Sequence, residues 1–130
     1  MTKIKAVIHH DHYTTQLYSS TNELIADEPI SVGGKDKGFS PDELLSSSLA
    51  ACTSITLRMY ADRKQWPLEK IEVNITLERD TAKNITKILR EIQLFGNLDD
   101  RQKKRLLEIA NQCPTHKTLT NPIHIITGLL

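Results

Sequence analysis

Charge of one sign is missing from this chain of 130 residues: 17 Lys and Arg stand against 16 Asp and Glu, a net charge of +1 with histidines neutral. A balance this close gives no bulk attraction for nucleic acid or for an anionic membrane. Aromatic residues are scarce, at 5%, which leaves few platforms for stacking bases. No apolar run approaches the roughly 18 residues of a membrane span. The stretch from Met1 to Ile8 carries lysines but lacks the apolar core of a signal peptide. Cys52 and Cys113 are the only cysteines, too few for a disulfide scaffold. Together these absences predict one cytoplasmic domain over 1–130, in reducing surroundings, with no nucleic acid and no membrane as partner. A free thiol there is either buried filler or working chemistry.

The patterns that are present describe an α+β chain. Ile4, Ala6 and Ile8 alternate with Lys5 and Val7, Thr14 to Tyr18 is β-prone, and a turn at 19–23 leads into Leu24, Ile25 and Ala26. This predicts a three-stranded meander, followed by a polar loop at 33–38. Ser40, Pro41 and Glu43 form a capping box with proline at the first helical position. Behind it Leu45, Ser48, Leu49, Cys52, Ile55, Thr56 and Met59 recur at steps of three and four, the stripe of a long helix ending near Lys64 to Trp66.

Ile71, Val73, Ile75 and Leu77 then alternate with polar residues, a half-buried strand, and residues 80–84 make the turn into a second strand from Ile85 to Phe95. Arg90 intrudes on the face shared by Ile88, Ile92 and Leu94 and is read as an edge position whose guanidinium reaches water. A second helix starts at Asp99, with Gln102 three residues on, and carries Leu106, Ile109, Ala110 and Cys113 until Pro114 stops it. Ile123, Ile125 and Thr127 alternate as a closing strand. The expected order is β-β-β-α-β-β-α-β, without Rossmann-type alternation.

Each cysteine taken alone is satisfied by burial, because free cysteine often behaves as a small hydrophobe. Cys52, however, lies among small residues from Ser46 to Ser54, and Cys113 directly precedes Pro114. Should the two meet, their chemistry is constrained. A peroxide-reducing thiol must be a thiolate and leaves the reaction as sulfenic acid, which a second thiol converts to a disulfide. Depressing the first thiol's pKa takes a nearby cation or donors, and a carboxylate often holds the cation. Asp42 and Glu43 are candidate carboxylates, about three turns from Cys52.

The run Gly38-Phe-Ser-Pro-Asp-Glu-Leu-Leu45, followed by Ser48-Leu-Ala-Ala-Cys-Thr53, resembles the central-helix signature of the OsmC/Ohr family of osmotically inducible and organic hydroperoxide resistance proteins. Ile109-Ala-Asn-Gln-Cys-Pro-Thr-His-Lys-Thr-Leu119 resembles the family's second-cysteine signature. The resemblance implies an intertwined homodimer with a long central helix. It also implies thiol peroxidase activity on organic hydroperoxides, no cofactor, and re-reduction by a dithiol of the lipoyl type. Carried over, Cys52 is the peroxidatic and Cys113 the resolving thiol, and the family's carboxylate falls on Asp42, one carbon shorter than the usual Glu. One departure stands out: the family's arginine on an early strand or turn has no counterpart, since no arginine precedes Arg58 and the corresponding stretch reads His9-His-Asp-His-Tyr13. Lys35 and Lys37 are the other cations in reach of that part of the chain.

The missing arginine motivates an alternative, a dimeric small-molecule-binding protein that keeps the fold without rapid turnover. A metal site from His9, His10, His12, Cys113 and His116 lacks any recognised ligand spacing, and His116 reads more simply as a surface or capping residue. Arg101, Lys103, Lys104 and Arg105 read as a solvated helix face.

Overall fold

The structure, a computed structural model, describes all 130 residues. It divides into two compact units, Met1–Leu45 and Ser46–Leu130. In the first, β1 (Lys5–Ile8), β2 (Thr15–Tyr18) and β3 (Glu23–Ala26) form the antiparallel meander that the alternation predicts. A short 3-10 turn at Ile30–Val32 begins the loop that follows. Asp27 fastens this loop. Its carboxylate is buried and accepts from the amides of Tyr13, Glu28 and Lys37 and from the Thr14 hydroxyl. Burial by itself would raise its pKa, but the amides of Glu28, Tyr13, Lys37 and Lys35 outweigh that and hold it at about 2.

The helix α1 (Pro41–Lys64) starts as its sequence dictates. Ser40 Oγ accepts from the Glu43 amide and Glu43 Oε1 accepts from the Ser40 amide, closing the box reciprocally. The buried stripe differs from the expected one. Leu49, Thr53, Leu57 and Ala61 are buried, one residue per turn, whereas Leu45, Ile55 and Met59 are exposed. The shift onto Thr53 is affordable because its hydroxyl donates to the Leu49 carbonyl at 2.7 Å, so no polar group is stranded.

β4 (Leu68–Asp80) and β5 (Ile85–Gly96) make a long antiparallel ribbon whose register sets Ile75 opposite Arg90. At its base Gly96 has φ +134°, and an added Cβ would press on the Pro67 carbonyl, so the position needs glycine. α2 (Asp100–Ala110) is opened by a capping box between Asp99 and Gln102. Leu57, Ala61, Leu68, Leu98, Leu106, Ile109 and Ala110 form the core of this unit, with Tyr60, Trp66, Ile71, Ile92 and Leu94 packed against it.

Two sequence expectations fail at the C-terminal end. α2 stops at Ala110, three residues before Cys113, and Pro114 begins a helix rather than ending one: α3 (Pro114–Thr120). Proline suits that first position because its missing N–H would have no helical partner there. The closing strand is absent. Residues 121–130 form no helix or strand, and Ile123, Ile125, Ile126, Leu129 and Leu130 stand exposed. Despite their alternation they pair with no strand of the chain.

Candidate functional site: the cysteine pair

Cys52 sits half-buried on the middle of α1, and Cys113 is fully buried at the cap position preceding α3. Although 60 residues lie between them, the two thiols are close enough for each to shift the other's pKa. Around them the first turn of α3 supplies donors. The Thr115 amide donates to Cys52 Sγ at 3.5 Å, and the next amide, of His116, donates to Cys113 Sγ at 3.5 Å. The sequence Cys-Pro-Thr-His thereby reads as geometry: cap, donorless first residue, then two consecutive amides turned to two sulfurs. Thr56, one turn along α1, lies 4.0 Å from Cys52 Sγ.

This arrangement splits the two thiols. Burial pushes the Cys52 pKa up, but hydrogen bonds from Cys113, from the hydroxyl and amide of Thr115, and from Thr56 outweigh it and bring the thiol below its ordinary 9.0. For Cys113 burial also raises the pKa, and the bond to Cys52 and the Cys52 charge add to it, against the His116 and Thr115 amides. Cys52 is the group that ionises first, and Cys113 stays a protonated donor beside it.

Sequence reasoning misjudged Arg90 and His116. Arg90 does not simply reach for water. Its Nη1 donates to Thr53 Oγ1 at 3.1 Å and to the Ala110 carbonyl at 3.3 Å, and its Nη2 meets Asn111 Oδ1 at 2.8 Å and His116 Nδ1 at 3.2 Å. Since a guanidinium only donates, His116 Nδ1 is the acceptor and carries no proton there. The one signal in the sequence was a charged residue on an otherwise apolar strand face. His116 is half-buried between Arg90 and Cys113, not a surface residue.

Asp42 lies exposed in the first turn of α1, ten residues before Cys52 on the same helix. A cleft of about 270 Å³ has Leu49, Ile88 and Leu119 as apolar walls and Arg90 and His116 among its polar lining; neither cysteine lines it, and His116 links it to Cys113. A larger cleft of about 570 Å³, lined by Tyr60, Trp66, Lys64 and Arg105 among others, includes neither cysteine nor any of their hydrogen-bond partners. No three His, Cys, Asp or Glu side chains are gathered as metal ligands.

Fold and site thus define an α+β protein with two unlike thiols served by neighbouring amides of one helix turn. The model of the OsmC-like protein family matches residues 34–128, and the chain belongs to that family. It is 33% identical over 89 residues to a hydroperoxide reductase of Mycoplasma pneumoniae, a match covering 64% of this chain and 63% of that relative's length. The crystal structure of an OsmC-like protein from Mycoplasma pneumoniae superposes with a TM-score of 0.79 at 25% identity, over 92% of this chain and 86% of the other. The organic hydroperoxide resistance protein OhrB of Bacillus subtilis shares the fold, with a TM-score of 0.63 at 20% identity over 92% of this chain and 90% of that one. No helix is long and apolar enough to cross a membrane.

Proposed function

We propose that the chain is a cysteine-based peroxidase that reduces organic hydroperoxides, with Cys52 as the attacking and Cys113 as the resolving thiol. The observation that carries this reading is that consecutive amides of one helix turn, those of Thr115 and His116, donate to Cys52 Sγ and Cys113 Sγ, the two thiol pKa values being displaced in opposite directions. The Cys52 thiolate attacks the outer oxygen of ROOH; the S–O bond forms as the O–O bond breaks, and the alkoxide takes a proton and leaves as ROH. Cys113, losing its proton, then attacks the sulfenic sulfur; the S–S bond forms, and hydroxide leaves as water. A dithiol of the lipoyl type returns two electrons to the disulfide. The apolar walls of the cleft beside Arg90 and His116 favour a carbon-bearing hydroperoxide over hydrogen peroxide.

In this reading the 130 residues work as one domain in the cytoplasm and pair as a homodimer. The exposed Ile55 and Met59 on α1 and the bare aliphatics of 121–130 supply the apolar surface such a dimer would cover. Asp42 keeps the part that family resemblance assigns it, the carboxylate that orients a cation, and it acts through an intermediary, being nearly three turns from Cys52.

The test is intact-protein mass spectrometry with thiol counting, within seconds of adding one equivalent of an organic hydroperoxide to reduced protein. Loss of both thiols with a mass decrease of two hydrogens is the expected result. Two thiols still free after minutes would overturn the peroxidase and leave the binding protein, with the cleft beside Arg90 as its site.

A further inference from the structure

The guanidinium of Arg90 is the one group that touches every segment carrying the cysteine pair. On α1 it holds Thr53, the neighbour of Cys52. At the end of α2 it holds the Ala110 carbonyl and the Asn111 side chain, and on α3 it holds His116. The Ala110 carbonyl also accepts the amide of Cys113 at 3.3 Å, so Arg90 and the Cys113 backbone share one oxygen. Thr53 can take part because its hydroxyl proton is already spent on Leu49, leaving a lone pair for the arginine. All four acceptors are neutral, and Arg90 belongs to none of the three ion pairs of the chain.

We propose that Arg90 is the positioning residue of the cysteine pair, the fork that fixes the 110–116 corner against α1 and so sets how readily Cys113 reaches Cys52. This rests on the peroxidase reading and adds to it a residue of the closing step. The corner carries the Cys113 thiol, the Thr115 amide that donates to Cys52, and the His116 amide that donates to Cys113. Besides the fork, the corner is held by the burial of Ala110 and Cys113, by the backbone bonds of its own turns, and by a single bond to α1, from the Thr115 amide to Cys52 Sγ at 3.5 Å. With the fork removed, the corner can drift from α1, and the sulfurs part before the backbone of either helix is disturbed. A lysine keeps the charge but is a single point donor, and it cannot serve α1 and the corner from two nitrogens at once.

The experiment compares wild type with Arg90→Lys and Arg90→Met, reading the two oxidation steps separately. Sulfenic acid is trapped with a dimedone-type reagent, and disulfide and sulfinic acid are counted by intact mass. In both variants disulfide closure should slow about tenfold or more, the scale of losing a charge-assisted hydrogen bond. Sulfenic acid should accumulate although Cys113 is present, and Cys52 should overoxidise at lower peroxide. A residue that merely props the fold would lower the melting temperature without changing that partition. Full rescue by lysine would overturn the positioning role in favour of charge alone, and closure at the wild-type rate in both variants would overturn it altogether.

Should the Arg90 variants fail to fold, Asn111→Ala decides, since it removes one exposed acceptor of the same fork; it should slow closure, and unchanged closure would sink the proposal. The same comparison with diamide separates this inference from the peroxidase reading. There the Cys52 thiolate adds to the N=N bond, and Cys113 then displaces the hydrazine as the S–S bond forms. If wild type consumes no hydroperoxide, the peroxidase reading falls. Arg90 is still judged by whether its loss slows the diamide closure.

Discussion

The backbone amide of Thr115 donates to the sulfur of Cys52 across 63 residues of sequence, 3.5 Å from nitrogen to sulfur. Its neighbour His116 serves Cys113 in the same way. Two adjacent amides therefore support two sulfurs, and the two thiols are unequal, Cys52 being lowered and Cys113 raised from the ordinary value.

The inequality has a pH signature. A thiol with a lowered pKa is thiolate at a pH where an ordinary one is not, so Cys52 should alkylate first, with a rate that climbs at lower pH than that of an ordinary thiol. Cys113, raised, should lag behind Cys52 and need a higher pH for the same labelling. Peptide mapping after brief iodoacetamide pulses across pH 6 to 10 reads both. Equal labelling at all pH values would mean that the sulfurs are not coupled.

Removing one sulfur at a time should separate the two steps. Cys52→Ser should abolish hydroperoxide consumption. Cys113→Ser should allow a single oxidation per chain and leave sulfenic acid or its overoxidised products on Cys52, seen by intact mass. Full turnover by the Cys52→Ser protein would show that the nucleophile lies elsewhere.

Leu106 and Leu107 are neighbours on α2 with opposite fates, the first fully buried and the second exposed. Leu106→Ala should cost about 2–5 kcal/mol in denaturant unfolding, as core truncations do. Leu107→Ala should change stability by no more than roughly 0.5 kcal/mol. A large loss at Leu107 would reveal a surface that is covered in solution.

Asp27 predicts an acid transition confined to the N-terminal unit. Its carboxyl is held at about 2, below the ordinary 3.8, so its support is fully present above pH 3.8 and is lost as pH falls through about 2. Asp27→Asn should remove that acid dependence and expose the Tyr13 and Lys37 amides to faster hydrogen exchange at neutral pH. Unchanged exchange at both amides would show that the loop is held by other bonds.

The meander, the capping boxes at Ser40 and Asp99, and the ribbon from Leu68 to Gly96 were all legible, because each rests on local patterns of period two or on cap chemistry. The helix stripe was read less well: periodicity alone could not tell that Thr53 would be buried in place of Ile55, since that choice depends on a hydroxyl finding both Leu49 and Arg90. The 110–116 corner was misread for a similar reason. Cys113 and Pro114 look like the end of one helix when they are the threshold of another, and three loop residues decide between them. The cysteines themselves stood out from their scarcity and their motifs, whereas Arg90 is defined by partners at distances of 20 to 37 residues, which no local pattern displays.

Arg90 stands opposite Ile75 on a ribbon of only two strands, and the far end of that ribbon is pinned by Arg79, which bonds Thr86 and Asn84 across the turn. Six steps along the chain, roughly 20 Å of strand, take Asn84 to Arg90. The turn acts as the ratchet stop of a sliding rule. A slip of one notch exchanges the faces of every side chain and would bring up Leu89 or Glu91 where Arg90 now stands, replacing the cation by an oily or an acidic group. Damage at this remote hinge could thus silence the sulfurs while leaving each of their neighbours intact.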